Sequence, residues 1–148
     1  MRALIQRVKT ASVTIDGELK SKIDHGLLVL LGVGSEDTEE LADKLWRKIS
    51  GLRIFEDEEG KTNLSIRDVG GNIMVVSQFT LYANCKKGNR PSFVEAAPPD
   101  KGNELYEYFL RLVKVEFPDC GSGEFGADML VSLENDGPFT IWLDTDTL

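Results

Sequence analysis

The sequence holds one histidine, His25, placed in a turn before Gly26. A hydroxyl or thiol nucleophile of the familiar kind needs an imidazole held by a carboxylate, and a lone turn histidine is a poor basis for one. Metal chemistry has little more to draw on. The two cysteines, Cys85 and Cys120, are not in C-x-x-C spacing, and no histidine cluster accompanies them. Neither a metal nor a cofactor is expected. No apolar run approaches the roughly 20 residues of a membrane span. The opening M-R-A-L-I-Q-R-V begins an alternating pattern at once and shows no signal-peptide core. The expectation is a cytoplasmic protein with no membrane association, its cysteines free thiols in a reducing compartment. Hydrolytic chemistry, if present, must rest on backbone N–H donors, hydroxyls and the substrate's own groups.

Charge is scarce in one sign at one end. Between Phe117 and Leu148 there are seven acids and neither lysine nor arginine, whereas the first 116 residues carry 18 acids and 17 bases. The net charge of −8 argues against indiscriminate nucleic-acid binding. It leaves room for RNA contact through a local basic loop. One such loop exists: Asn84 to Phe93, N-C-K-K-G-N-R-P-S-F, gathers Lys86, Lys87 and Arg90, the densest basic patch in the chain. A solvated loop and a phosphate-contacting loop both fit that composition.

With 148 residues and 41% hydrophobic content, one domain spanning 1–148 can bury a proper core. Arg2 to Ile15 reads as a strand, Asp16-Gly17 as a hairpin turn, and Glu18 to Ile23 as the returning strand. Leu27 to Val33 is a continuous apolar run, the mark of a central strand. Gly32, near its end, and Gly34, just past it, begin neither G-x-G-x-x-G nor a Walker motif. Asp37, with Glu40 three residues on, predicts a helix start, and Leu41, Leu45, Trp46, Ile49 and Leu52 follow at helical spacing. Short strands are expected over Leu52 to Phe55 and Thr62 to Ile66. Pro98-Pro99 opens a second helix, about Asp100 to Val115. Asp119 to Gly126 is glycine-rich and reads as a mobile loop. Met129 to Leu133 and Phe139 to Leu143 read as strands joined by a turn at Glu134 to Pro138. The sum is an α+β domain: a curled mixed or antiparallel sheet, or a barrel, with two helices packed on one side.

Two stretches resist a purely structural reading. Ile73 to Ala83, I-M-V-V-S-Q-F-T-L-Y-A, begins as a buried strand and then presents Ser77, Gln78, Phe79 and Thr80. Buried polar groups without partners cost about 1–3 kcal/mol each. The strand must therefore leave the core there, either as a plain solvated edge or to offer hydroxyls, an amide and N–H groups. Gly137-Pro138 is the other. An ordinary trans turn fits it, and so does a cis unit whose two carbonyls face one way and suit an ammonium group.

S-Q-F-T-L at Ser77 to Leu81, R-P-S-F at Arg90 to Phe93 and N-D-G-P-F-T at Asn135 to Thr140 together resemble the D-aminoacyl-tRNA deacylases. The opening octapeptide, L-R-I-F-E-D at Leu52 to Asp57 and F-G-A-D-M at Phe125 to Met129 extend the resemblance across the chain. Phe139 departs from it, since valine is common there. The resemblance implies a homodimer that hydrolyses the ester between a D-amino acid and tRNA, and that also removes glycine from mischarged tRNA(Ala). It implies that the Gly-cisPro unit, Gly137 and Pro138, enters the partner's pocket. There it binds the α-ammonium and excludes an L side chain. It further implies that Arg7 holds this dipeptide and that Met129 lines the pocket. Ser77, Gln78, Phe79 and Thr80 then take the ester end, with the Phe79 and Thr80 N–H groups facing the oxyanion and the tRNA 2′-hydroxyl assisting attack. On the residues alone, a hydrolase using Thr80 as nucleophile and a non-catalytic dimeric RNA-binding module also stand.

Overall fold

A computed structural model describes residues 1–148. Its spine is β1 (Arg2–Ile15), which turns through Asp16-Gly17 into β2 (Glu18–Ile23). Both turn residues have positive φ, 50° and 78°, which is what a two-residue turn matched to strand twist requires. β1 pairs antiparallel with β2 through its second half and with β3 (Gly26–Gly32) through its first. On its other edge it pairs with β8 (Leu130–Asp144) from end to end. β3 continues in parallel to β6 (Asn72–Ser77), and β6 to the two-residue β7 (Gly121–Ser122). The sheet curls until β7 meets β2, where the Ser122 N–H donates to Ser21 Oγ at 3.1 Å. The result is a mixed sheet nearly closed into a barrel, as the α+β expectation requires.

β3 and β6 are buried on both faces, which their uninterrupted apolar runs demand. Ile73 and Val75 join the main core, while Met74 and Val76 join a smaller cluster inside the curl. The main core lies between the sheet and two helices, α1 (Glu39–Gly51) and α3 (Pro99–Glu116), with Trp46 edge-on to Phe109 at 6.0 Å. No helix is long and apolar enough to cross a membrane.

Several local expectations change. Thr38, not Asp37, caps α1, accepting from the Leu41 N–H. Asp37 instead turns inward, where its carboxylate accepts from the Gly34 N–H at 2.6 Å and the Met1 amino group at 2.7 Å. Leu52 to Phe55 is not a strand; pairing is confined to β4 (Phe55–Glu56) with β5 (Thr62–Leu64). Beyond Leu64 a Ser65–Asp68 capping box starts a third helix, the one-turn α2 (Ile66–Val69). The focal strand stops at Ser77, and Phe79–Tyr82 forms a 3-10 turn. The glycine-rich stretch is not a loose loop but contains β7. A Cβ on Gly121 would sit 2.8 Å from Met74 Cε and 2.9 Å from Ser21 Oγ, so glycine lets β7 close against its neighbours. Finally, the C-terminal strands are one strand, β8. Gly137-Pro138 sits in a bulge inside it rather than at a hairpin tip: Gln6 pairs with Thr140 and Val8 with Asn135, leaving Asp136 to Phe139 out of the ladder opposite Arg7.

Candidate active site

A cleft of about 760 Å³ opens where β6 leaves the sheet. Burial on both faces carries β6 to the barrel rim, and one further ladder bond, Gln78 N–H to Leu31 O at 2.8 Å, holds the exit. The backbone then winds into the 3-10 turn. Its first residues, Phe79 and Thr80, carry N–H groups that have no acceptor within so short a helix. Ser77, Gln78 and Phe79 form one side of the cleft, and Phe93, Val94 and Ala96 to Pro99 another. Phe125 to Met129, Asp128 among them, and Val131 complete it. Met129 packs flat over Gly123, where a Cβ would come within 2.3 Å of its sulfur. Phe125 leans on Gly102 of α3, where a Cβ would lie 3.1 Å from the ring.

The polar groups here are few: the Ser77 hydroxyl, the Gln78 amide and one carboxylate, Asp128, with no histidine or lysine. The Gln78 amide donates to Thr80 Oγ1 at 2.5 Å. An amide cannot take up a proton, so this contact orients the hydroxyl without activating it. His25 is elsewhere, edge-on to Phe55 at 5.2 Å and lining a separate cavity of about 210 Å³ with Arg7 and Asp136. The far end of the turn is held from behind. Tyr82 is buried and its hydroxyl donates to Asp37 Oδ2 at 3.3 Å. Burial, and after it the Asp37 carboxylate, push this phenol far above its ordinary value, which keeps it a donor.

Arg7, Gly137 and Pro138 lie outside this cleft and form a second cluster. Arg7 is almost fully buried. Its Nε donates to the Asp136 carbonyl at 2.9 Å and its Nη1 to the Ile54 carbonyl at 2.7 Å. Its guanidinium lies 4.6 Å over the Phe139 ring. Asn135 brackets the bulge from the other side: its Oδ1 accepts from the Phe139 N–H at 2.7 Å, and its Nδ2 donates to Gln6, Phe139 and Thr140 oxygens. Between these supports the exposed Gly137-Pro138 bond is cis. The unusual Phe139 thus forms the apolar platform beneath Arg7.

The basic loop stands next to the cleft. Paired backbone bonds between Asn84 and Ser92, at 2.8 and 2.9 Å, pinch its base. Lys86, Lys87 and Arg90 are exposed beyond the pinch, while Phe93, just after it, reaches the cleft and meets Phe79 edge-on at 5.1 Å. Ser77, Gln78, Phe79 and Met129 therefore meet in one cleft, with Thr80 on the same turn. Arg7, Gly137 and Pro138 meet at another place, and the three basic residues at a third. Sequence reasoning did not single out Phe93 and Phe125. Both fall inside family-like motifs, but no local pattern marks them as cleft walls.

Comparison with known proteins agrees along the whole chain. The family model described as D-Tyr-tRNA(Tyr) deacylase matches residues 4–144. A D-aminoacyl-tRNA deacylase of Thermotoga petrophila is 54% identical over 148 residues, covering 100% of this chain and 99% of its own. One from Pseudomonas putida is 54% identical over 143 residues, covering 97% and 99%. Among solved structures, one titled c-Myc DNA unwinding element binding protein superposes with a TM-score of 0.92 at 44% identity, covering 97% of this chain and 98% of that one. A probable eukaryotic D-amino acid tRNA deacylase superposes with a TM-score of 0.84 at 19% identity, covering 96% and 97%, a likeness of fold.

Proposed function

The chain belongs to the D-Tyr-tRNA(Tyr) deacylase family, and from that premise we propose that it hydrolyses the ester joining a D-amino acid to tRNA, releasing the free amino acid. The observation that carries the reading is the cleft at the Phe79–Tyr82 turn, which offers N–H donors and apolar walls, lacks a histidine, and pairs the Thr80 hydroxyl with an amide rather than a base. An ester carbonyl set against the Phe79 and Thr80 N–H groups would gain stabilisation as negative charge develops on its oxygen, where a single preorganised donor is worth about 3–4 kcal/mol. The proton that a base would take is left to the 2′-hydroxyl of the terminal ribose and to water. Phe79 and Phe93 provide aromatic surface for the terminal nucleoside, and Lys86, Lys87 and Arg90 provide charge for the phosphates.

Stereochemistry is read by exclusion. Gly137-Pro138 is exposed, lies outside its own chain's cleft, and is braced by Arg7 and Asn135. A motif placed so would serve the cleft of a second subunit in a homodimer. β8, which carries it, pairs only with β1 and leaves its outer edge unpaired, with Leu130 and Trp142 exposed. The Gly137 and Pro138 carbonyls accept the α-ammonium, a D side chain points outwards, and an L side chain meets Pro138. Glycine has no side chain to collide and is accepted, including from mischarged tRNA(Ala). The substrate sets the compartment, since aminoacyl-tRNA is cytoplasmic; two free cysteines accord with that.

The test is deacylation of D-Tyr-tRNA and L-Tyr-tRNA by the purified protein. Release of D-tyrosine with L-Tyr-tRNA left intact supports the reading, and equal release from both, or from neither, contradicts it. Sedimentation should find a dimer under assay conditions; an active monomer would remove the second subunit from the account.

A further inference from the structure

The 3-10 turn is a single turn, and such turns have poor hydrogen-bond geometry and little stability of their own. It is nevertheless the element asked to hold two N–H groups in register with a reacting carbonyl. What fixes it comes from outside it. Arg2 stands 25% exposed at the start of β1, and its Nη1 donates to the Leu81 carbonyl at 2.9 Å. The same guanidinium lies 4.3 Å over the Tyr82 ring, and its Nε donates to Asp144 Oδ2 at 3.0 Å. Asp144 ends β8, so Arg2 bolts the turn to the last strand of the sheet. Behind the ring, the Tyr82 hydroxyl reaches the buried Asp37. Below it, the turn rests on Gly32, where a Cβ would lie 3.1 Å from both Gln78 O and Leu81 Cβ. From the cleft side the one polar contact to the turn is the Gln78 amide on Thr80 Oγ1.

We infer that Arg2 is a positioning residue for the deacylation step: with Tyr82 and Asp37 it clamps the Phe79–Tyr82 turn, and so sets the direction of the Phe79 and Thr80 N–H groups. Arg2 is not among the residues that line the cleft. Its effect passes through the Leu81 carbonyl and the Tyr82 ring, one and two residues beyond Thr80. The inference rests on the proposal that these N–H groups stabilise the oxyanion.

The clamp predicts a separation that general loosening would not give. Arg2→Gln should lower kcat on D-Tyr-tRNA about tenfold, since displacement of a reacting group by a fraction of an ångström to an ångström carries losses up to about a hundredfold. KM for the tRNA should stay within about twofold, because the binding walls are untouched. Arg2→Lys keeps the charge and one donor and should recover part of the loss, and Tyr82→Phe should show a smaller loss of the same kind. Amide hydrogen exchange of the unliganded protein should quicken in Phe79 to Ala83 and stay unchanged in Ile73 to Val76. An unchanged kcat in Arg2→Gln overturns the inference, as does faster exchange spread equally through β6. Should the wild-type protein release no D-amino acid, the fault lies with the proposed function, and the exchange measurement alone decides whether the clamp exists.

Discussion

Replacing Arg7 with methionine separates what holds the Gly137-Pro138 bulge from what lines the cleft. Methionine fills most of the methylene volume but donates nothing. The Ile54 carbonyl, bonded at 2.7 Å in a buried setting, is left without its charged donor, as is the Asp136 carbonyl at 2.9 Å. Hydrogen bonds to charged groups are worth about 1.5–3 kcal/mol each. The Asp136 carbonyl bond is only part-buried, whereas the Ile54 one is buried, so water replaces much of that second bond, and the Ile54 contribution dominates. The stacking over Phe139 adds about 1 kcal/mol. Against this, a buried charge no longer has to be desolvated, which returns part of the loss. The net expectation is roughly 2–4 kcal/mol of destabilisation, or a fall in Tm of about 5–15 °C for a chain of this size. Activity should fall further than stability does, because the freed bulge no longer presents its two carbonyls in one place; a loss near a hundredfold in kcat/KM is the expected order. Differential scanning calorimetry and deacylation of D-Tyr-tRNA at 25 °C, well below both melting temperatures, read the two effects separately. A variant that melts within a degree or so of wild type, or that keeps full activity despite melting early, would refute the reasoning.

Thr80→Ala should keep activity within about tenfold of wild type, because its backbone N–H survives and its hydroxyl is paired with the Gln78 amide rather than a base; collapse to the uncatalysed rate with the fold intact would restore the covalent Thr80 mechanism. Replacing Lys86 and Lys87 together by alanine should weaken binding of all tRNAs alike and flatten the log–log salt dependence by about one to two units. An unchanged slope would return both lysines to solvent. The thiols should differ in reactivity: Cys85 is exposed, whereas Cys120 is half-buried and burial pushes its thiol up, so iodoacetamide followed by mass spectrometry should find Cys85 modified first. Equal rates would mean that Cys120 opens readily to solvent.

The parts of this fold that sequence reasoning reaches are those set by near neighbours. Asp16-Gly17 fixes its own turn, and the doubly buried β6 announces itself by its composition. Sequence alone divides β8 in two because N-D-G-P carries turn chemistry; what makes it a bulge is the β1 ladder running past it, more than a hundred residues away in the chain. Asp37 and Thr38 are equally good caps on paper, and the choice is made by the Gly34 N–H and the Met1 amino group, which draw Asp37 inward. The one-turn α2 is too short to show a period. In the cleft, Ser77 to Phe79 and Met129 were legible through motifs. Phe125 owes its place to Gly102 on another element, which no local pattern reports. Arg7 did leave a physical trace: Ala3 and Ile5 alternate inward on β1, and an arginine next in that series is a charge on a buried face, which needs fixed partners.

Exclusion of the L side chain is best examined with three esters on one tRNA: D-alanyl, glycyl and L-alanyl. A site that reads the ammonium through Gly137 and Pro138 and rejects by collision should clear the D-alanyl and glycyl esters at rates within about tenfold of each other, and leave the L-alanyl ester at its spontaneous rate. Removal of D-alanine with glycine refused would mean that the D side chain is itself recognised, and removal of L-alanine at a comparable rate would mean that Pro138 excludes nothing.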